Sequence, residues 1–73
     1  MKMKIEYDKE VDAAYIYLAG DIKGDGAKKT IELNDNIILD FDAEGKLIGV
    51  EVLDASKVLN KKTLSESQAD SAR

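Results

Sequence analysis

The sequence predicts an α+β fold, in which a small antiparallel β-meander of about five strands carries a short C-terminal helix packed on the sheet. Two patterns indicate this fold. Apolar and polar residues alternate over several short segments, as in half-buried strands, and apolar residues at helical spacing follow the last of these segments. Because the chain has 73 residues, we expect one domain over residues 1–60 and a flexible polar C-terminal tail over residues 61–73.

The first two strands are predicted to form a hairpin. Lys2 to Tyr7 alternates with its apolar residues on one face, and Ala13 to Ala19 does the same. The polar stretch Asp8 to Asp12 separates them and is typical of a turn. Three of the five glycines then occur in Gly20 to Gly26, which predicts a flexible connection.

A third strand is predicted over Ala27 to Leu33, where two lysines suit a position at the edge of a sheet. A fourth follows over Ile37 to Asp42. With Glu44 and Gly45 at the centre of the next turn, the fourth strand pairs with the return strand in a fixed register. Each opposed pair on one face is then apolar: Phe41 with Ile48, Leu39 with Val50, and Ile37 with Val52.

The predicted core lies on that face of the sheet. We expect its members to be largely buried; they are Ile5, Ile16, Leu39, Phe41, Val50 and Val52. Asp54 has the character of a helix N-cap, and Ala55, Val58 and Leu59 follow it at helical spacing. The sequence therefore predicts a short helix that packs on the sheet.

Composition excludes several kinds of chemistry. The chain contains no His and no Cys, so imidazole bases, thiol nucleophiles and disulfides are excluded. Its net charge of −4 argues against nucleic-acid binding. No apolar run is long enough to span a membrane, and the first residues lack the apolar core of a signal peptide. We therefore expect a cytoplasmic protein that is not an enzyme and binds no cofactor.

Three motifs together resemble a known family. They are Tyr7 to Ile16, the acidic strand end Ile38 to Asp42, and the return strand Gly45 to Leu53. Over roughly residues 2–59 the sequence resembles the small prokaryotic family called domain of unknown function 2283. The resemblance implies a compact antiparallel meander with a terminal helix and no agreed biochemical activity. Ala14 departs from the family pattern, which tends to have a larger aliphatic residue there.

A divalent-cation site is one hypothesis for the acidic segment. Asp40, Asp42, Glu44 and Glu51, with Gly45, have the spacing of a helix-loop-helix calcium loop. That site requires flanking helices, whereas both flanks here have the pattern of paired strands. We therefore predict a solvated hairpin and keep Asp40, Asp42 and Glu51 as weak candidates for a surface cation site.

The second face of the predicted sheet also carries apolar side chains, and one short helix covers one face only. This residual surface predicts a homodimer interface; its residues are Tyr15, Tyr17, Ile38, Leu47 and Leu53. The leading hypothesis is a noncatalytic protein-interaction module that self-associates and presents a sheet face to a protein partner. The alternative is a carboxylate-based divalent-cation-binding protein.

Overall fold

The fold is seen in a computed structural model, which describes residues 3–18 and 27–69. In it the chain forms a six-stranded sheet with two short helices packed on it. The strands are β1 (Lys4–Asp8), β2 (Ala13–Tyr17), β3 (Lys29–Glu32), β4 (Ile37–Phe41), β5 (Leu47–Leu53) and β6 (Gln68–Ala69), and the helices are α1 (Ala55–Val58) and α2 (Lys61–Ser65). The predicted α+β class, with an antiparallel sheet and a helix after its last long strand, is confirmed.

The strand order is β3-β4-β5-β2-β1-β6, which departs from a simple meander. β5 lies beside β2, so β3 is placed at one edge of the sheet. All neighbouring strands are antiparallel except β1 and β6, which are parallel. The predicted connection Gly20 to Gly26 lies outside the described residues.

The β4–β5 hairpin has the predicted register along most of its length. Ile37 is paired with Val52 and Leu39 with Val50. The prediction is wrong at Phe41, which is paired with Leu47 instead of Ile48. The reason is the turn, which has three residues between the closing pair Asp42 and Lys46, with Gly45 at a φ of 82°. The additional residue is accommodated by a β-bulge after Leu47, as the register shift there shows.

The core is smaller than predicted and lies where α1 meets the middle of the sheet. Ala14, Val52 and Ala55 form its buried centre, and Ile16 and Val50 pack against it. Of the six predicted core residues, Val52 alone is buried, and Ile5, Ile16, Leu39, Phe41 and Val50 are half-buried. The physical reason is the size of α1, a single turn that packs on β2 and β5. The small Ala14 side chain permits this close approach.

Asp12 connects α1 to the first hairpin. Its backbone carbonyl accepts a hydrogen bond from the N–H of Ala55 at 2.8 Å, and its carboxylate accepts from the N–H and the hydroxyl of Ser56 at 3.0 and 2.8 Å. Asp54 is the N-cap residue of α1, as predicted, but its side chain makes no cap bond and instead accepts from the amide of Asn36. An aspartate distant in sequence therefore satisfies the first turn of the helix.

The predicted flexible tail over residues 61–73 contains regular structure in its first part, because α2 and β6 lie within residues 61–69. Asn60 caps α2 by accepting a hydrogen bond from the N–H of Thr63 at 2.8 Å. Leu64 packs against the core, and β6 adds to the sheet beside β1. Residues 70–73 lie outside the described residues. No helix in the described part of the chain is long and apolar enough to cross a membrane.

Candidate functional site

The face of the sheet opposite α1 carries a cluster of polar side chains around two tyrosines. Side chains alternate along a strand, so the neighbours of the core residues Ala14 and Val52 point away from the helix. We call this surface the tyrosine face. The residues that cross-strand pairing places on it include Lys4, Glu6, Tyr15, Tyr17, Thr30, Ile38, Asp40, Gly49 and Glu51.

Tyr15 extends from β2 across β5 to β4. Its hydroxyl donates a hydrogen bond to Oδ2 of Asp40 at 2.6 Å. Between them lies Gly49 of β5, whose missing side chain leaves the space that the phenol ring occupies. Thr30 of β3 donates to the other carboxylate oxygen of Asp40 at 2.9 Å. Both oxygens of this carboxylate are therefore engaged within the chain.

Tyr17 forms the second half of the cluster. Its ring lies edge-on to that of Tyr15, with 4.6 Å between the centroids. Its hydroxyl donates to Glu6 at 3.0 Å, and the ammonium group of Lys4 lies 3.5 Å from the other oxygen of Glu6. The same ammonium group lies 4.7 Å from the centroid of the Tyr17 ring. The tyrosine face thus joins β1 to β3 through side-chain contacts.

The electrostatic environment keeps Tyr15 protonated. Burial is the main cause that raises the pKa of its phenol well above the ordinary value of 10.0, and the hydrogen bond to Asp40 raises it further. A phenol with a raised pKa is a poor nucleophile and a poor base at neutral pH. The pair of Tyr15 and Asp40 therefore holds the phenol as a hydrogen-bond donor that links β2 to β4.

The three cation-site candidates do not converge. Asp40 is engaged by Tyr15 and Thr30, as described above. Asp42 accepts hydrogen bonds from the N–H groups of Glu44 and Lys46, both at 2.9 Å, and so closes the hairpin turn. Within residues 3–18 and 27–69, no group of three or more carboxylates is placed to hold a metal ion. The segment from Asp40 to Glu51 is a hairpin, as predicted.

The five predicted interface residues lie on three strands. Tyr15 and Tyr17 are on β2, Ile38 is on β4 beside Glu51, and Leu47 and Leu53 are at the two ends of β5. Leu47 is exposed, and the other four are half-buried. Because the tyrosine hydroxyls bond to carboxylates within the chain, the surface between these residues is more polar than the sequence pattern indicated.

Sequence reasoning missed Thr30 and Gly49 as members of the cluster. Thr30 gave no signal, because its contact with Asp40 depends on which strands are neighbours. Gly49 did give one, since a glycine inside a strand often marks the close approach of another group. Here that group is the ring of Tyr15.

Comparison with known proteins agrees with the motifs found in the sequence. The chain is 45% identical over 60 residues to the uncharacterized protein MJ0789 of Methanocaldococcus jannaschii, a match that covers 82% of this chain and 47% of the relative. The chain thus spans about half the length of that relative. No solved structure matches it. The sequence profile described as protein of unknown function (DUF2283) matches residues 4–56, and the chain therefore belongs to this family.

Proposed function

We propose that this protein is a noncatalytic interaction module that self-associates as a homodimer. One observation carries the proposal: the helices cover part of one face, and much of the apolar surface on that face keeps contact with solvent. Among the described residues, no large side chain is completely buried. A chain of this size has little stability to spare, and association is a common way to obtain more.

Part of the uncovered apolar surface lies on β3, on β4 and on Leu33, which follows β3. α1 packs on β2 and β5, while β4 and β3 lie beyond β5 in the sheet. Ile31 is 40% exposed and Leu33 is 61% exposed, and Leu39 and Phe41 beside them are half-buried. Burying such groups is favourable at about 25 cal/mol per Å² of apolar area. A second copy that covers them would therefore stabilise both chains.

This surface is a better candidate for the interface than the tyrosine face. On the tyrosine face, Tyr15 and Tyr17 already direct their hydroxyls to carboxylates of their own chain. An isologous interface there would also have to bury the carboxylates of Glu6 and Asp40 in both copies, which is costly. We also propose that the protein is cytoplasmic, as the sequence predicts.

Sedimentation equilibrium tests the proposal. We expect a species of twice the 8.0 kDa chain mass and a melting temperature that rises with protein concentration, because association stabilises by mass action. A single 8.0 kDa species from micromolar to millimolar concentration, with a constant melting temperature, would refute self-association.

The variant Tyr17→Glu distinguishes the two surfaces. It places a further carboxylate beside Glu6 on the tyrosine face and leaves β3 unchanged. We expect it to remain dimeric. A monomeric Tyr17→Glu variant with an intact fold would instead assign the interface to the tyrosine face.

A further inference from the structure

β3 is an edge strand with an outward-facing row of backbone groups. It ends the strand order, and all four of its residues are exposed. The N–H of Leu33 donates to the carbonyl of Ile37 at 2.8 Å, which shows that the odd-numbered residues bond to β4. Backbone groups alternate in direction along an antiparallel strand. The N–H and C=O groups of Thr30 and Glu32 therefore point away from β4.

Lys28, which directly precedes β3, does not follow this alternation. The N–H of Lys28 bonds to the carbonyl of Phe41 at 2.8 Å, so it points toward β4 and not toward the outer edge. Within the described part of the chain, the backbone groups of β3 that are open to a partner strand are accordingly those of Thr30 and Glu32. This restriction limits how a second strand can pair with β3.

Resting on the proposed self-association, we infer that two copies of the chain pair β3 with β3 in antiparallel orientation, with Ile31 on the two-fold axis. In this register Thr30 lies opposite Glu32 of the second copy. Both residues have outward-facing backbone groups, so the two symmetric pairs give four hydrogen bonds between the chains. The register also keeps each helix-bearing face on the same side of the joined sheet, because opposed residues share a face.

Side chains favour the same arrangement. Ile31 of one copy lies opposite Ile31 of the other in a non-hydrogen-bonded pair, where side chains approach most closely. Leu33, the more exposed residue, lies opposite Lys29 of the second copy, whose aliphatic stem can cover it. Two exposed apolar side chains from each copy thus gain a cross-strand neighbour that covers part of their surface.

The charges of β3 select the antiparallel orientation. Lys28 and Lys29 are at one end of the strand and Glu32 is at the other. In the two-fold pairing, the lysines of the two copies lie at opposite ends of the paired strands and are far apart. Parallel stacking in register would instead place lysine beside lysine, which is unfavourable. The lysines therefore oppose open stacking of many chains while permitting a closed dimer.

Disulfide trapping tests this register, since the chain contains no native Cys. Opposed residues at a non-hydrogen-bonded pair are about 4.5 Å apart between Cα atoms, which suits a disulfide. We expect Ile31→Cys to give a covalent dimer under mild oxidation, roughly tenfold or more faster than Val11→Cys. Val11 is the matched control, because it is an exposed apolar residue on the distant β1–β2 turn.

Thr30→Cys is the second control, since it differs from Ile31→Cys by one position. Faster trapping at residue 30 than at residue 31 would overturn the proposed register. Equal, slow trapping of Ile31→Cys and Val11→Cys, while the wild-type chain sediments as a dimer, would overturn the β3 pairing but leave self-association standing. A monomeric wild-type chain would instead refute the proposed function itself. Circular dichroism of each reduced variant verifies that the fold is retained.

Discussion

The phenol ring of Tyr15 lies directly over the backbone of Gly49. A Cβ atom built on Gly49 would be 2.6 Å from Cζ of the ring, far inside van der Waals contact. The two residues belong to neighbouring strands and are not directly opposed, since Tyr15 is paired with Glu51. The absence of a side chain at residue 49 is what lets Tyr15 reach Asp40 on the next strand.

The substitution Gly49→Ala should destabilise the fold. The added methyl group must displace the Tyr15 ring, which breaks the hydrogen bond to Asp40 and disturbs the contact with Tyr17. We expect a loss of about 1–3 kcal/mol in the free energy of unfolding, as for other overpacked sites. Urea unfolding followed by circular dichroism measures this loss.

Two controls isolate the contact with Tyr15. In a Tyr15→Ala background the ring is gone, so Gly49→Ala should cost much less than in the wild type. An equal cost in both backgrounds would contradict the steric explanation. Gly45→Ala should cost about 1 kcal/mol for a different reason, because Gly45 has a φ of 82° and open space around it.

Stability should fall at alkaline pH because of Tyr15. Its pKa in the folded protein lies well above 10.0, chiefly because of burial. The neutral phenol is therefore favoured by folding, and this contribution is complete below the unfolded pKa near 10 and is lost as pH rises through the higher folded pKa. Urea unfolding at a series of pH values from neutral to above 10 measures the decline.

The variant Tyr15→Phe identifies the source of that decline. At neutral pH it should lose about 1 kcal/mol through the missing hydrogen bond to Asp40. Above pH 10 its stability should fall less steeply than that of the wild type. Some decline remains, because a hydrogen bond to Asp12 raises the pKa of Tyr7 as well. If the variant and the wild type lost stability in parallel as pH rises, the pKa of Tyr15 would have to be the same in the folded and the unfolded chain.

Removing the Asp12 carboxylate should loosen the attachment of α1. The carboxylate accepts hydrogen bonds from the Tyr7 hydroxyl at 2.6 Å and from the N–H and hydroxyl of Ser56. Asp12→Ala should therefore lower the urea midpoint more than Ser56→Ala, which removes one of these bonds. Asp12→Asn is the matched control, because Asn tolerates the φ of 56° at this position and keeps an acceptor oxygen.

Asp12 should make stability fall at acid pH, whereas Tyr15 makes it fall at alkaline pH. Hydrogen bonds from Tyr7 and then Ser56 hold the pKa of Asp12 below its ordinary value of 3.8. Its stabilising contribution is therefore present above the unfolded pKa and is lost as pH falls through the lower folded pKa. Asp12→Asn should show a smaller acid loss of stability than the wild type. An unchanged acid profile would assign the loss to other carboxylates.

Local patterns determined much of the fold. Alternation placed β1, β2, β4 and β5, and matching their apolar faces gave the observed register of β4 with β5 from Ile37 to Asp40. The family motifs were also readable, since they are runs of adjacent residues. Such features depend on interactions between residues close in sequence, where chain connectivity already limits the arrangements.

Only the tertiary structure determined which strands became neighbours and which side chains came into contact across them. The placement of β5 beside β2 brings Tyr15 over Gly49 to Asp40, and the placement of β3 at an edge exposes Ile31. The same is true of Asp12, which caps a helix more than forty residues away. No periodicity records these contacts, because each joins residues from separate segments. Their free energy depends on packing and desolvation, which arise only when those segments meet.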